Sequence, residues 1–435
     1  MTREATTVGR ERPGRTLSPA PQARLRAVHP AELAFDLGLG SAAVVLGRTR
    51  DDGAVRIDHP TVSRTHVSIV WHEDAHVAAD VGSRNGSWID GAPLRKDPRP
   101  LRDGSLLRAG DVLLVYERGD EELDPPAVSR EAIPGRSLAA VALRAAIARA
   151  APDRAPLLLV GETGVGKERA AEEVHRLSGR RGRLMRVNCA ALSAQLIEAQ
   201  LFGHVRGAFT GASDAQPGLF RAAHEGTLFL DEVGELALDL QPKLLRALEE
   251  RHVVPLGSER GVPVDVRVVA ATHRDLAAAV DAGTFRRDLY ARLSLWEIHV
   301  PSLRARRVDL LGWVATFHRG FHQERAEPRF TADAAEALVL HPWPTNLRGI
   351  DRLVRRLAPP ADGAPIGADA VAAALAGPAV PPASGAAPRP HVPTRVEFVA
   401  AFAELGGNVR ALARHYRRDR RQIQRWIAAY RMRQD

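Results

Sequence analysis

The sequence predicts a multidomain chain that contains an all-β sandwich, an α/β domain with a helical lid, and a small all-α domain. Short apolar or alternating runs divided by Gly, Asn, Asp and Pro occupy the first part of the chain, and this spacing is typical of a sandwich. Apolar strands then alternate with helix-length segments, which indicates a parallel sheet flanked by helices. At the C-terminal end, three amphipathic segments have helical periodicity.

Shifts in composition set the boundaries that we expect between these parts. In chain order we predict a disordered tail at 1–32, the sandwich at 33–117, an acidic linker at 118–134, the α/β subdomain at 135–300, the helical lid at 301–358, a linker rich in Ala, Pro and Gly at 359–392, and the all-α domain at 393–435. We therefore expect three globular blocks with linkers between them.

Composition restricts the class of protein. The apolar content of 45% is typical of globular chains, and no apolar run approaches the ~20 residues that a membrane helix requires. The N-terminal charges precede no apolar segment, so we expect no secretory signal. The single cysteine, Cys189, excludes an internal disulfide and fits a reducing cytoplasm, where we expect the protein to be.

The net charge of +9 favours a nucleic-acid partner, and most of this charge lies at the C-terminal end. From His391 to Asp435 there are ten arginines and four acidic residues, a net charge of +6. A disordered basic tail would carry the same charge, but the helical periodicity of this segment favours a folded domain.

The segment LLLVGETGVGKE combines an apolar strand, a glycine-rich turn and the start of a helical pattern. Gly161, Gly164 and Gly166 allow backbone N–H groups to surround phosphate oxygens, and Lys167 can reach the outer phosphates. Glu168 stands where most such loops have the Ser or Thr that binds magnesium. The combination predicts a loop that binds the phosphates of a nucleotide.

The segment GTLFLDEVGEL ends a buried strand in two carboxylates, at the edge of the sheet where α/β proteins bind ligands. Asp231 is the expected Mg²⁺ anchor, and Glu232 is the expected base that orients water toward the γ-phosphate. A solvated acidic turn is the alternative for this segment when it is considered alone. Together with the phosphate-binding loop, the segment predicts hydrolysis of ATP or GTP.

The hexapeptide GAFTGA, Gly207–Ala212, contains one aromatic ring, one hydroxyl and otherwise almost no side chain. Gly207 and Gly211 permit a tight reversal, which would place Phe209 and Thr210 at an exposed tip that another protein could contact. The residues alone leave open the alternative that Phe209 packs back under the loop.

Several segments of the central part occur in a characteristic order: GETGVGKE, NCAAL, LFGHVRGAFTGA, GTLFLDEVGEL, ATHRDL, GTFRRDLYARL, PSLRARRVDL and WPTNLRGI. They resemble the central domain of bacterial enhancer-binding proteins, which are AAA+ ATPases that activate RNA polymerase holding sigma-54. The resemblance covers about Gly135 to Leu357 and implies an AAA+ P-loop ATPase that binds ATP and Mg²⁺. In that family Glu follows the loop lysine, as Glu168 does here.

The resemblance also implies roles for individual residues. Asn188 would keep Glu232 inactive until nucleotide is sensed, and Thr272 and His273 fall at the first sensor. The implied ATP contacts are Gly161, Glu162, Thr163, Gly164, Val165, Gly166, Lys167, Glu168, Thr272 and Arg348. The implied sigma-54 contacts, which would move with the nucleotide state, are Gly207, Ala208, Phe209, Thr210, Gly211 and Ala212.

Two arginines match the pair that, in the family, reaches into the site of a neighbouring subunit. Arg286 and Arg292 would there stabilise the charge on the transferring phosphoryl oxygens. This role implies a homo-oligomer, between a dimer and a hexameric ring. Surface ion pairs, for example with Asp288, are the alternative.

The N-terminal block contains VVLGRTRDDGAVRIDHPTVSRTHVSIV and DVGSRNGSWIDG. Over about Leu33 to Glu117 it resembles a forkhead-associated (FHA) domain, a sandwich that binds phosphothreonine. His66 would brace the binding loop. The implied phosphothreonine contacts are Arg48, Ser63, Arg64, Ser83 and Asn85. The alternative is a sandwich of the same fold that binds no phosphopeptide.

The C-terminal block is predicted to form three helices. Gly406 and Gly407 would end the first helix, and Asn408 would cap the second. The block resembles the Fis-type helix-turn-helix domain of the same activators, which binds double-stranded DNA. The implied DNA contacts are Arg418, Arg420, Arg421, Gln422, Gln424 and Arg425.

These resemblances predict an ATP-hydrolysing activator that binds enhancer-like DNA, remodels the closed complex of sigma-54 RNA polymerase and responds to a phosphothreonine-containing protein. An AAA+ remodeller of other proteins or of DNA is the first alternative, and it would have another loop in place of the hexapeptide. A phosphopeptide-binding adaptor with an inactive ATPase is the second. The presence of Lys167, Asp231 and Glu232 argues against that adaptor.

Overall fold

The structure is a computed structural model, and it describes residues 22–49, 54–119, 124–191, 193–209, 213–322, 327–357, 363–376, 395–416 and 420–430. The chain forms two compact units, Met1–Leu375 and Ala376–Asp435. The sandwich and the α/β domain, which we expected as separate blocks, therefore belong to one unit. No helix in the described ranges is long and apolar enough to cross a bilayer.

The first part of this unit is a sandwich of two sheets that enclose an apolar core, as predicted. Its strands are β1 (Ala23–His29), β2 (Asp36–Leu39), β3 (Val44–Gly47), β4 (Val55–Arg56), β5 (Val67–His72), β6 (Ala75–Asp80), β7 (Ser87–Ile89), β8 (Ala92–Leu94), β9 (Arg99–Pro100), β10 (Leu106–Ala109) and β11 (Val112–Arg118). One sheet has the strand order β2-β1-β11-β10-β7-β8, and the other has the order β4-β3-β5-β6-β9.

Strand β1 lies within the segment 1–32 that was expected to be disordered. It pairs with both β2 and β11, and Leu25 and Ala27 are buried in the sandwich core. The apolar residues of this strand bury enough surface to hold it in the sheet. Residues 1–21 of the expected tail lie outside the described residues.

The second part is an α/β domain built on a five-stranded sheet. Its elements are α1 (Leu138–Ala150), β12 (Leu157–Val160), α2 (Lys167–Leu177), β13 (Leu184–Asn188), α3 (Ala194–Phe202), α4 (Gly218–Ala222), β14 (Thr227–Asp231), α5 (Gln241–Glu250), β15 (His252–Val253), β16 (Val262–Pro263), β17 (Arg267–Thr272), α6 (Leu276–Asp281), α7 (Arg287–Leu293) and β18 (Trp296–His299). The sheet order is β13-β14-β17-β12-β18, and every pair in it is parallel, as the alternating pattern predicted. Because the strands are parallel, their carboxyl ends meet at one edge.

A helical lid follows the sheet. After a 3₁₀ segment at Leu303–Asp309 it consists of α8 (Leu310–Phe321), α9 (Ala332–Leu340), α10 (Leu347–Arg356) and α11 (Ala368–Ala376). Helix α11 lies within 359–392, where we expected a linker. Val371 and Ala374 of α11 are buried in the lid core, because this part of the Ala-rich segment presents an apolar face.

The connector at 118–134 is also more ordered than expected. Val128 and Ile133 are buried in the core of the α/β domain. Asp124 forms an ion pair with the buried Arg144 of α1 at 2.6 Å. The described part of this connector is therefore packed on the α/β domain.

The second unit contains α12 (Arg395–Glu404), α13 (Val409–His415) and α14 (Arg420–Ala429), in agreement with the all-α prediction. Phe398, Leu412 and Ile423 are buried at its centre, one from each helix. Gly406 and Gly407 have φ values of +56° and +69° and end the first helix, as expected from glycines at this position.

Candidate functional site

The glycine-rich turn connects β12 to α2, at the carboxyl edge of the parallel sheet. Gly164 and Gly166 have φ values of +79° and +105°, a region that favours glycine. A Cβ atom on Gly164 would lie 2.4 Å from the carbonyl oxygen of Thr345 in the lid. The glycines therefore permit both the turn and the close approach of the lid.

Lys167 begins α2 and is only 7% exposed. Its Nζ atom donates to the carbonyl oxygen of Gly161 at 2.8 Å and lies 3.7 Å from Oε1 of Glu232. The helix N-terminus and this ammonium group together form an electropositive position that suits a phosphate.

The two carboxylates at the end of β14 have different partners. Burial and the charge of Glu232 raise the pKa of Asp231, a cost that a bound cation would relieve. Glu232 Oε2 accepts a hydrogen bond from Nδ1 of His273 at 2.6 Å. The amide of Asn188 donates to Asp231 at 3.4 Å, whereas the sequence suggested that it would hold Glu232.

A cavity of about 330 Å³ lies between the turn, the carboxylates and the lid. Its lining residues are Thr163, Gly164, Gly166, Lys167, Glu168, Arg169, Asp231, Glu232, Phe317, Leu347, Arg348 and Asp351. This combination of backbone donors, an ammonium group and carboxylates suits a phosphate chain together with its cation. Among the described residues, no group of three or more His, Cys, Asp and Glu side chains is arranged to hold a metal ion.

The other residues suggested for catalysis do not line this cavity, and neither does Thr272, which was suggested as an ATP contact. Thr272 is buried beneath the turn, and its carbonyl oxygen accepts from the N–H of Gly161 at 3.1 Å. Arg286 is exposed and donates to Asp288 at 2.7 Å, a hydrogen bond that lowers the pKa of this carboxyl. Arg292 lies half-buried on α7. Within one chain, therefore, neither arginine reaches the cavity.

Sequence reasoning missed Asn346, which joins the lid to the glycine-rich turn. This residue is fully buried and has a φ of +49°. Its Oδ1 accepts from the N–H of Leu303 at 2.9 Å, and its Nδ2 donates to Glu162 at 3.0 Å and to the carbonyl oxygen of Thr163 at 3.2 Å. The hydrogen bond from Asn346, assisted by Arg304, lowers the pKa of Glu162. Asn346 could have been identified from the sequence, because it lies in the segment WPTNLRGI.

We expect Asn346→Ala to destabilise the first unit by about 1–3 kcal/mol, because it leaves the buried N–H of Leu303 without an acceptor. Asn346→Asp keeps that acceptor but places a second carboxylate beside Glu162, so it should disturb the glycine-rich turn more than the contact with Leu303. Urea unfolding and ADP titration of both variants separate these effects. Equal stability of Asn346→Ala and the wild type would contradict the assignment.

The described part of the hexapeptide loop has a fixed base and an exposed ring. The N–H of Val205 donates to the carbonyl oxygen of Leu256 at 3.0 Å, and His204 pairs with Gln216 as an antiparallel bridge. Phe209 is 41% exposed, and its ring contacts the edge of His204 with 5.0 Å between centroids. Within this chain the ring is thus not packed into the core. Residues 210–212 lie outside the described residues.

Three loops of the sandwich, which contain Arg48, Ser63–Arg64 and Ser83–Asn85, carry the suggested phosphothreonine contacts. The N–H of Arg48 donates to the carbonyl oxygen of Ser63 at 2.9 Å. A Cβ atom on Gly47 would lie 1.9 Å from the carbonyl oxygen of Arg64, so glycine is required for this approach. Both arginines are exposed and form no ion pair with another described residue. Two exposed guanidinium groups on adjoining loops suit a phosphate dianion.

Buried His66 braces these loops. Its Nδ1 accepts from the N–H of Ser63 at 3.0 Å, so the proton lies on Nε2, which donates to the carbonyl oxygen of Gly86 at 3.0 Å. The exposed Asn85 donates to the carbonyl oxygen of Thr61 at 2.7 Å. The hydroxyl of Ser83 donates to Asp80 at 2.5 Å and is thus held within its own turn.

Helix α14 carries most of the suggested DNA contacts. Arg420 and Gln424 are exposed on this helix. Arg421, Gln422 and Arg425 belong to the same helix, and Arg418 lies outside the described residues. Trp426 and Ile427 are buried, so α14 packs with one face on its own unit.

Comparisons with known proteins agree with this organisation. The model of the Sigma-54 interaction domain matches residues 133–299, and that of the FHA domain matches residues 44–110. The transcriptional regulatory protein ZraR of Escherichia coli K12 is 40% identical over 321 residues, which are 73% of this chain and 73% of ZraR. The Sigma54-dependent transcriptional activator SfnR of Pseudomonas putida is 46% identical over 216 residues, which are 49% of this chain but only 59% of SfnR.

Among solved structures, the crystal structure of NtrX from Brucella abortus in complex with ATP is similar, with a TM-score of 0.51 and 29% identity. The similarity covers 68% of each chain. Together with the extent of the match to ZraR, this shows that the chain belongs to the sigma-54-dependent transcriptional regulators and that it carries an FHA domain.

Proposed function

We propose that this protein hydrolyses ATP to remodel the closed complex of sigma-54 RNA polymerase, while it binds enhancer-like DNA and responds to a phosphothreonine-containing protein. The observation that carries the proposal is the cavity in which Lys167, Asp231 and Glu232 face the lid residue Arg348. A family of AAA+ ATPases, and a similar structure that holds ATP, support nucleotide binding there.

In this proposal the residues of the cavity divide the chemistry between them. The turn and Lys167 would bind the phosphates, and Asp231 would hold Mg²⁺, which would neutralise phosphate charge. Glu232 orients the attacking water, and its hydrogen bond to His273 sets the direction of the carboxylate. Arg348 belongs to the lid and lines the cavity. The lid would therefore respond, through Arg348, to the presence or absence of the γ-phosphate.

The site is incomplete within one chain. Arginine stabilises the transferring phosphoryl group in many ATPases, but Arg286 and Arg292 do not line the cavity of their own chain. A neighbouring copy would supply them, which requires a homo-oligomer. We place this assembly in the cytoplasm, where polymerase and promoter DNA are.

The remaining activities rest on the other parts of the chain. The exposed Phe209 is an apolar contact for sigma-54, and the loop that carries it is anchored to the α/β domain. Arg48, Ser63, Arg64 and Asn85 would bind the phosphothreonine. The basic helix α14 would enter the major groove of DNA.

We expect Phe209→Ala and Thr210→Ala to abolish ATP-dependent open-complex formation while ATP hydrolysis stays within about twofold of the wild type, as is usual for surface changes. Open complexes are measured in vitro with sigma-54 polymerase on supercoiled promoter DNA. Phe321→Ala removes a ring of comparable exposure from the lid and should keep both activities. Retention of activation by both loop variants would reject the proposal that this loop acts on sigma-54.

A further inference from the structure

The FHA sandwich packs directly on the lid through an apolar surface. Leu113 and Val115 of β11 lie in one buried cluster with Ala335 and Val339 of α9. At the margin of this surface, Arg307 at the start of the lid donates to Asp90 at 3.1 Å and to the carbonyl oxygen of Gly104 at 2.8 Å. Since all four apolar side chains are buried, separating the sandwich from α9 would expose them to water.

Arg108 of β10 is the polar centre of this contact. Its guanidinium donates to Asp333 and to Glu336 of α9, each at 2.6 Å. The same side chain donates to the carbonyl oxygen of Gly110 at 2.8 Å and lies over the ring of Trp88 at 4.9 Å. Only 13% of the Arg108 side chain is exposed. The side chain is therefore held by contacts with the sandwich and with the lid.

On the sandwich side, the contacts continue from Arg108 to the suggested phosphothreonine site. The turn that holds Arg108 packs against Thr61, because a Cβ atom on Gly110 would lie 2.7 Å from both oxygens of Thr61. The N–H of Asp111 donates to the hydroxyl of Thr61 at 2.9 Å. The carbonyl oxygen of Thr61 accepts in turn from Asn85 at 2.7 Å.

On the lid side, the contacts continue from α9 to the nucleotide cavity. The indole N–H of Trp343 donates to the carbonyl oxygen of Leu338 in α9 at 2.9 Å. The N–H of Asn346 donates to the carbonyl oxygen of Trp343 at 2.9 Å, and Asn346 binds the glycine-rich turn. Buried contacts therefore connect α9 with the floor of the nucleotide cavity.

We infer that the pairing of Arg108 with Glu336 couples phosphothreonine binding on the FHA domain to nucleotide binding under the lid. This inference rests on the proposed function, since it requires both ligands to bind. A peptide that shifts Asn85 and Thr61 displaces the turn at Gly110 and thus Arg108. Because Arg108 holds α9, the lid then changes its position over the cavity.

Coupling between two binding sites is reciprocal, so it can be measured from either ligand. In the full-length protein, we expect saturating ADP to change the affinity for a degenerate phosphothreonine peptide pool by about fivefold or more. The unphosphorylated pool is the control for the peptide. Arg108→Gln and Glu336→Gln should each reduce this change to less than about twofold, whereas Arg95→Gln, on an exposed arginine elsewhere in the sandwich, should preserve it.

The double variant Arg108→Gln with Glu336→Gln decides whether the two residues act as a pair. We expect it to lose no more coupling than Arg108→Gln alone, because Arg108→Gln already removes the contacts with both Glu336 and the more exposed Asp333. Full coupling in both single variants, or additive losses in the double variant, would overturn the inference alone. Failure of the wild type to bind either ADP or the peptide pool would overturn the proposed function as well.

Discussion

Replacing Glu232 with Gln is expected to lower the rate of ATP hydrolysis by about 10²–10⁴-fold while ATP still binds. The amide keeps the size of the side chain but cannot accept the proton of the attacking water. Lys167 and the glycine-rich turn remain in place, so the affinity for ATP should stay close to that of the wild type. Steady-state hydrolysis and equilibrium binding of a fluorescent ATP analogue give the two quantities.

Glu235→Gln is the matched control for this prediction. Glu235 lies on the same turn, but it pairs with Arg274 at 2.5 Å and does not line the cavity. The control should hydrolyse ATP at the rate of the wild type. Hydrolysis within tenfold of the wild type in Glu232→Gln would show that another group orients the water.

Some parts of the cavity could be predicted from short segments of sequence. In these segments the residue types indicate both the chemistry and the backbone conformation. Gly164 and Gly166 have the positive φ values that their turn needs, and Asp231 is the last residue of an apolar strand that could be recognised as buried. The parallel sheet places these separate segments at one edge. The alternation of apolar strands with helix-length segments was sufficient to predict this sheet.

Contacts between distant segments could not be predicted in the same way. Arg108 and Glu336 are separated by 228 residues, and nothing in either local segment indicates the pairing. The order of residues 124–134 and of helix α11 also depends on apolar surfaces that distant segments of the chain supply. In the same way, the hydrogen bond of Asn188 to Asp231 depends on the register between β13 and β14, which pairs these two residues directly.

In the proposed mechanism, one chain cannot supply Arg286 and Arg292 to its own cavity. Replacing one of these arginines therefore tests whether hydrolysis depends on a neighbouring subunit. Arg286→Ala is expected to lower the rate of ATP hydrolysis by about 10³-fold or more, the usual effect of removing an arginine that contacts the transferring phosphoryl group. Its neighbour Arg287 is 82% exposed and lies 3.9 Å from Asp281, so Arg287→Ala should have little effect.

Mixing two inactive variants then shows which chain supplies the arginine. Arg286→Ala subunits keep Glu232, and Glu232→Gln subunits keep Arg286, so a mixed oligomer contains sites where one subunit donates the arginine to the other's intact glutamate. Hydrolysis should therefore return on mixing, and it should rise with the total protein concentration as the oligomer forms. If mixtures stay as inactive as their components although the subunits assemble, Arg286 acts only within its own chain, and its ion pair with Asp288 is then its structural role.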